Sequence, residues 1–274
     1  FVIIEGKGDK ESLNEVLNNS NREKDVFIID FTPSEKSQSI KIEPLEKIAD
    51  FRELPKDIQS KTLANYELRL SKYTEIYTLT EEIKSAIHND KNFYLYVVLF
   101  NNNPVGHIQF KYFESSRMIF IDYVYLLKDY SFLRDNFYSL LERNVIKKFD
   151  IANLVTEVTF FNKRRNKALE LLLSKQGFYS LDFNYIQPPT ESIFFTKGKL
   201  LIKPIKWYNG YDINLIIKDI YFNHYGFWYR KKRLYKYTLK IIYFIQKYYL
   251  KNYNLKNYVE KEWFQNKIKR EHNE

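Results

Sequence analysis

Two runs rich in β-branched and aromatic residues, Phe93–Phe100 and 105–112, flank the polar stretch Asn101-Asn102-Asn103-Pro104. A short polar turn between two such runs reads as a β-hairpin. A third run at 118–127 extends the hairpin into an antiparallel meander. Residues 132–149 then place apolar side chains at 133, 137, 140, 141, 145, 146 and 149, the spacing of a helix face. Another strand pattern follows at 154–161. A strand, a helix and a second strand in sequence join parallel neighbours through a crossover. The sheet is therefore expected to be antiparallel at one end and parallel at one internal seam, which places the chain among α/β folds.

The flanks extend this pattern. A helix at 167–175 runs into Gly177, the residue type that ends helices in the left-handed conformation. Upstream, a strand is expected at 40–43, then helical stretches at 47–54 and 58–70 broken by Pro55, and a short helix at 79–88. The first residues, 2–31, read as strand, helix, strand, with Glu5-Gly-Lys-Gly-Asp9 as a structural glycine turn. That turn is too short for a P-loop and lacks its Lys-Ser/Thr ending. The polar, proline-containing stretch 32–39 separates this element from the rest.

Charge divides the chain further. Of 44 Lys/Arg and 34 Asp/Glu, thirteen and four fall in 227–274, so this tail carries a net +9 of the total +10. The organisation read from sequence is a small βαβ-like element at 1–37, a main domain at 38–226 and a basic, aromatic helical extension at 227–274. No apolar run is long enough to span a bilayer. Cysteine is absent, which rules out disulfides and thiolate metal sites and leads us to expect a cytoplasmic location. The four histidines are scattered without ligand spacing, so no metal site is expected.

The segment Gln176-Gly-Phe-Tyr-Ser-Leu-Asp-Phe-Asn-Tyr-Ile-Gln-Pro-Pro189, the strand pattern at 199–203 and Tyr221-Phe-Asn-His-Tyr225-Gly226 carry a more specific signal. Together with the element order over 40–226, they resemble the GNAT superfamily of acyl-CoA N-acyltransferases. The resemblance implies a GNAT-like mixed central sheet with flanking helices, here with a helical C-terminal extension. It also implies acetyl-CoA as co-substrate, an amine-bearing acceptor and N-acetyltransferase activity by direct attack on the thioester.

In that family the pantetheine arm runs along the strand before the main helix, here Tyr123, Val124, Tyr125 and Leu126. The pyrophosphate rests on amides at the helix N-terminus, where unpaired N–H groups and the helix dipole favour an anion. The family loop has the form Arg/Gln-x-x-Gly-x-Gly. Here Ser131 takes its first position, Arg134 and Asn136 take the glycine positions, and Asp135 lies between them. No glycine occurs between Gly106 and Gly177. Either the amides survive, with Arg134 and Lys128 supplying charge, or the side chains close the cradle and the domain is an inactive GNAT-like binding protein.

Candidate proton-transfer residues follow from the residues themselves. Asp122 and Glu157 interrupt otherwise apolar strands, where a buried acid is costly unless paired or functional. His107 on the second strand is a comparable candidate base. Leu173 falls where many family members carry a tyrosine acid, and Tyr179 just beyond the helix is the candidate replacement. Residues 229–250 include Arg230-Lys-Lys-Arg233 and apolar positions 234, 241, 245 and 248, consistent with an amphipathic helix. Over 229–270 the open readings are an anionic partner, either RNA or a membrane surface, packing on the body, or a second copy in a homodimer.

Overall fold

A computed structural model of the protein describes residues 46–70, 77–159, 163–189, 195–206, 208, 210–228, 233–251, 253–255 and 259–260. The expected elements at 1–37 and the strand at 40–43 lie outside these residues. Contacts divide the chain into two compact units, Phe1–Glu43 and Pro44–Glu274, and the described residues all lie in the second.

An eight-stranded sheet forms its centre: β1 Glu46–Asp50, β2 Phe93–Phe100, β3 Asn103–Phe113, β4 Met118–Leu126, β5 Asn153–Thr159, β6 Tyr179–Ser180, β7 Tyr185–Gln187 and β8 Thr196–Pro204. The order is β1-β2-β3-β4-β5-β8-β6, with β7 also paired to β8. All neighbours are antiparallel except β4 and β5. Asn101 and Asn102 turn the β2–β3 hairpin with positive φ, a conformation that asparagine tolerates. The helices are α1 Lys56–Leu70, α2 Tyr77–Asn89, α3 Arg134–Lys148, α4 Lys163–Lys175, α5 Ile213–Lys218 and α6 Arg233–Tyr249. α5 continues into a π-helical segment, Asp219–Tyr225, and the single turn Gly226–Trp228. This is the GNAT-like architecture: a mixed central sheet with flanking helices and a helical C-terminal extension.

The expected helix at 47–54 is corrected. Glu46–Asp50 is an edge strand paired with β2 from Glu46↔Phe100 to Asp50↔Tyr96, and only Phe51–Glu53 turn, as a 3-10 helix. The side chain of Asp50 accepts from the Arg52 amide and caps that turn. Pairing with an available sheet edge outweighs the helical preference of so short a stretch.

Alternation along the strands sends side chains to two faces. Ile119, Ile121, Leu154 and Leu201 pack with Leu133, Phe137, Leu141 and Val145 around α3, and with Leu173 of α4. Met118, Phe120, Val155, Leu200 and Ile202 pack with Ile213, Ile217, Ile220, Tyr221, Leu239 and Ile242 of the C-terminal helices. α1 and α2 cover β2 through Ile58, Ile83 and Ala86 against Phe93, Leu95 and Val97. Each fully buried large side chain contributes about 1.5–3 kcal/mol. The helices at 213–249 are thus part of the core. Gln246, fully buried on α6, accepts from the Ile186 amide at 2.8 Å and donates to the Asn184 carbonyl at 2.9 Å, fastening α6 to β7. Gly177 holds φ +83°, and the Phe178 amide bonds back to the Leu173 carbonyl to close α4.

Candidate active site

The parallel seam is short. β4 and β5 pair from Met118↔Asn153 to Ile121↔Thr156 and no further, whereas β4 runs on beside β3 through Leu126. At that end of the seam the β3–β4 register shifts: Phe110 faces Ile121 and Gln109 faces Tyr123, leaving Asp122 as the extra residue of a β-bulge. Bulges bend a strand and re-aim a side chain, so the divergence of β4 from β5 begins where Asp122 is inserted.

Asp122 turns toward the C-terminal helices. Its carboxylate accepts from Gln109 Nε2 at 2.6 Å and lies 3.4 Å from His224 Nε2, with its side chain 28% exposed. Burial works against its charge. His224, Gln109 and Lys111 outweigh that and hold its pKa below the ordinary 3.8. His224 is buried against Phe120, Tyr225 and Trp228, and its Nδ1 makes no hydrogen bond. Lys111 is 2% exposed, 2.6 Å from Asp90, and donates to the Asn223 carbonyl of the same π-helical segment.

Glu157 lies one residue past the last β4–β5 pair. Its carboxylate accepts from the hydroxyls of Tyr185 and Tyr225, the latter at 2.6 Å, and from Gln187 Nε2 at 3.1 Å. Gln187 also donates to Tyr225 Oη at 2.8 Å. Burial pushes the Glu157 pKa up to about 7, against the three donated hydrogen bonds and with the Asp122 charge adding to the rise. The tyrosines move far upward from burial and from Glu157, so both remain protonated donors. The result is two carboxylates in electrostatic reach of one another: Asp122 stays charged, and Glu157 titrates near neutrality.

Of the residues expected from sequence, Asp122 and Glu157 are brought together where β4 and β5 part. His107 is buried on β3 opposite Tyr125, its ring 5.9 Å from Tyr123 and 5.3 Å from Tyr125. Together with Thr62 and Asn65 of α1, His107 and Tyr125 line a small cavity of about 10 Å³. Tyr179 does not meet the two acids. On β6 it pairs with Ile202 of β8, and β8 separates β6 from β5. Tyr123, Val124, Tyr125 and Leu126 form the part of β4 that continues past the seam. Ser131 lies in a 3-10 helix, Lys128–Leu133, that leads into α3, and Arg134, Asp135 and Asn136 form the first turn of α3. The side chains of these four residues lie outside the described set.

Sequence reasoning missed Gln109, Tyr185, Gln187, His224 and Tyr225 as site residues. The signal is present in Tyr185-Ile-Gln187 and in Tyr221–Tyr225, which carry the resemblance, but nothing in their spacing ties them to the two acids. Among the described residues no group of three or more His, Asp or Glu is placed to hold a metal ion, and no helix is long and apolar enough to cross a membrane.

No protein-family model and no curated protein matches the chain. Among solved structures, N-acetyltransferase PseH from Campylobacter jejuni in complex with acetyl coenzyme A is similar at 15% identity and TM-score 0.42, covering 59% of this chain and 99% of that one. A probable acetyltransferase from Staphylococcus epidermidis is similar at 10% identity and TM-score 0.45, covering 59% and 99%. An acetyltransferase from Thermus thermophilus is similar at 9% identity and TM-score 0.41, covering 58% and 97%. At these scores the overlay is loose, and the GNAT-like architecture stands on the strand order and the parallel seam.

Proposed function

We propose that this chain is an acyl-CoA-dependent N-acyltransferase that transfers an acetyl group to an amine. One observation carries the reading: β4 and β5 part immediately after Ile121↔Thr156, with Asp122 and Glu157 at the point of divergence. An extended acyl-pantetheine arm can enter such an opening as a strand does, with Val124 and Leu126 on the β4 side. The resemblance would set the coenzyme's pyrophosphate at the N-terminus of α3, where Leu133 offers no capping side chain to compete with an anion and the 3-10 turn Lys128–Leu133 runs directly into the helix. When bound, the coenzyme supplies an activated carbonyl and a thiolate leaving group.

The residues then divide the work. Glu157, half protonated near pH 7, takes the proton lost by the amine nitrogen as it attacks, the task for which a base poised at the working pH is suited. Tyr225 remains protonated and already bonds Glu157, so we assign it the return of a proton to the departing sulfur. Asp122 keeps its charge and favours an acceptor that arrives as a cation.

Calorimetry with acetyl-CoA, followed by thiol-release assays over a panel of primary amines and polyamines, tests the reading. Heat of binding and amine-dependent thiol release are expected. No heat at millimolar acetyl-CoA would sink it, and binding without turnover on any amine would favour the inactive GNAT-like alternative.

A further inference from the structure

Helix α6 has a second apolar face that, among the described residues, nothing covers. Leu239, Ile242 and Gln246 face the core, while Leu234 is 79% exposed, Tyr237 53%, Ile241 62%, Phe244 77% and Tyr248 74%. At about 100° per residue these five fall within a sector of roughly 80°, forming a continuous outward stripe over a helix about 26 Å long. Arg233, Lys240 and Lys247 follow one another along one border of that stripe, and Lys236 lies just behind them. All four are exposed, and no residue of α6 is acidic. The sequence Arg230-Lys231-Lys232 immediately precedes the helix.

An exposed apolar patch of this extent on a helix otherwise fixed to a core marks an interaction surface. Charge selects its occupant. A second copy docked stripe to stripe would bring lysine rows together with no α6 acid to pair them. RNA would satisfy the lysines, and the tyrosines could stack on bases, but Leu234 and Ile241 offer nothing to stack. A bilayer with anionic headgroups meets both halves: acyl chains accept the leucine, isoleucine and aromatic side chains, and the headgroups accept the lysines and arginine. We propose that α6 lies in the plane of an anionic membrane surface, its outward stripe inserted and its basic border at the headgroups, holding the domain there peripherally.

Full-length protein, sedimented with vesicles of phosphatidylcholine alone or mixed with phosphatidylglycerol, tests this. Binding to the anionic vesicles alone is expected. The I241D/F244D variant should bind at least about tenfold more weakly. The K236Q/K240Q/K247Q variant should bind more weakly and lose much of its salt dependence. Circular dichroism and thermal unfolding, unchanged in both, confirm that the changes act on an outward surface. If the aspartates perturb folding, the lysine variant and the salt series still decide. Failure to bind anionic vesicles overturns the proposal, as does binding that I241D/F244D leaves intact. So does a lipid-independent dimer that I241D/F244D dissolves in a protein that ignores vesicles. Retention on RNA that needs the lysines but not Ile241 and Phe244, without vesicle binding, would transfer the surface to nucleic acid. Loss of vesicle binding leaves acetyl-CoA binding and thiol release unaffected, so this test and that of the enzymatic reading fail separately.

Discussion

Tyr225 Oη donates to Glu157 Oε2 at 2.6 Å, tying the π-helical segment of the C-terminal region to the central strand beside the parallel seam. Residues 68 positions apart thereby meet at one carboxylate, whose charged form the hydrogen bond favours and burial opposes.

Replacing Glu157 with glutamine should cut kcat by about 10²–10⁴-fold with little effect on acetyl-CoA affinity, if Glu157 is the base. In the unaltered protein kcat/KM should rise with pH through about 7, following deprotonation of Glu157, and this limb should vanish in E157Q. Stability gives an independent reading. A carboxyl raised from 4.5 to about 7 binds its proton more tightly when folded, so stability falls as pH rises through that window. E157Q should therefore gain on the original protein by up to about 3 kcal/mol at pH 8, and the gain should disappear near pH 4.5, in urea unfolding at the two pH values.

Tyr225→Phe removes one of three donors to the Glu157 carboxylate while keeping the ring. The Glu157 titration should move upward by about half a unit to one unit, seen as a displaced acid limb of kcat/KM or in a carboxyl-resolved NMR titration. A Tyr225→Phe protein with an unmoved limb would show that the hydrogen bond does not tune the acid.

Asp122 carries the opposite sign. Its folded pKa lies below 3.8, so the stability it contributes is present above that value and is lost as pH falls below it. Asp122→Asn should be less stable than the original protein at pH 7, with the difference shrinking as the buffer approaches pH 3. It should also bind cationic amines more weakly if its charge attracts the acceptor.

Gln246→Leu leaves the Ile186 amide and the Asn184 carbonyl without their buried partners. A loss of about 1–3 kcal/mol in urea unfolding is expected, because an unsatisfied buried group costs more than a hydrogen bond returns. The loss should extend to activity, since Ile186 lies between the two residues that hold Glu157.

Asp122 and Glu157 were legible in the sequence because an acid within an apolar strand is a local anomaly that needs no knowledge of the fold. The β2–β3 hairpin was legible for the same reason, its turn chemistry being contained in Asn101–Pro104. Gln109 and His224 were not. One bears on Asp122 only because of a register shift, and the other only because the helix after α5 widens into a π-helical segment. Neither event leaves a mark in residue spacing. The edge strand at Glu46–Asp50 was misread because its stability comes from β2, some 50 residues away, rather than from its own sequence. The outward stripe of α6 was half visible: positions 234, 241 and 248 stood out, but sequence could not tell which apolar face of the helix the core would take.

The inserted residue in β4 also changes the phase of the strand. Before it, Phe120 lies opposite Lys111 on the side of the C-terminal helices; after it, Tyr123 lies opposite Gln109 and Tyr125 opposite His107 on that same side. Odd-numbered and even-numbered residues have exchanged faces. Deleting Asp122 would therefore do more than remove one carboxylate. It would also remove the bulge: Ile121↔Phe110 would be followed directly by Tyr123↔Gln109, so the later side chains of β4 would keep their faces and partners while the bend that starts at the inserted residue would be lost. Point substitution at this position should thus remove only the charge, whereas deletion should also straighten β4 and narrow its opening beside β5.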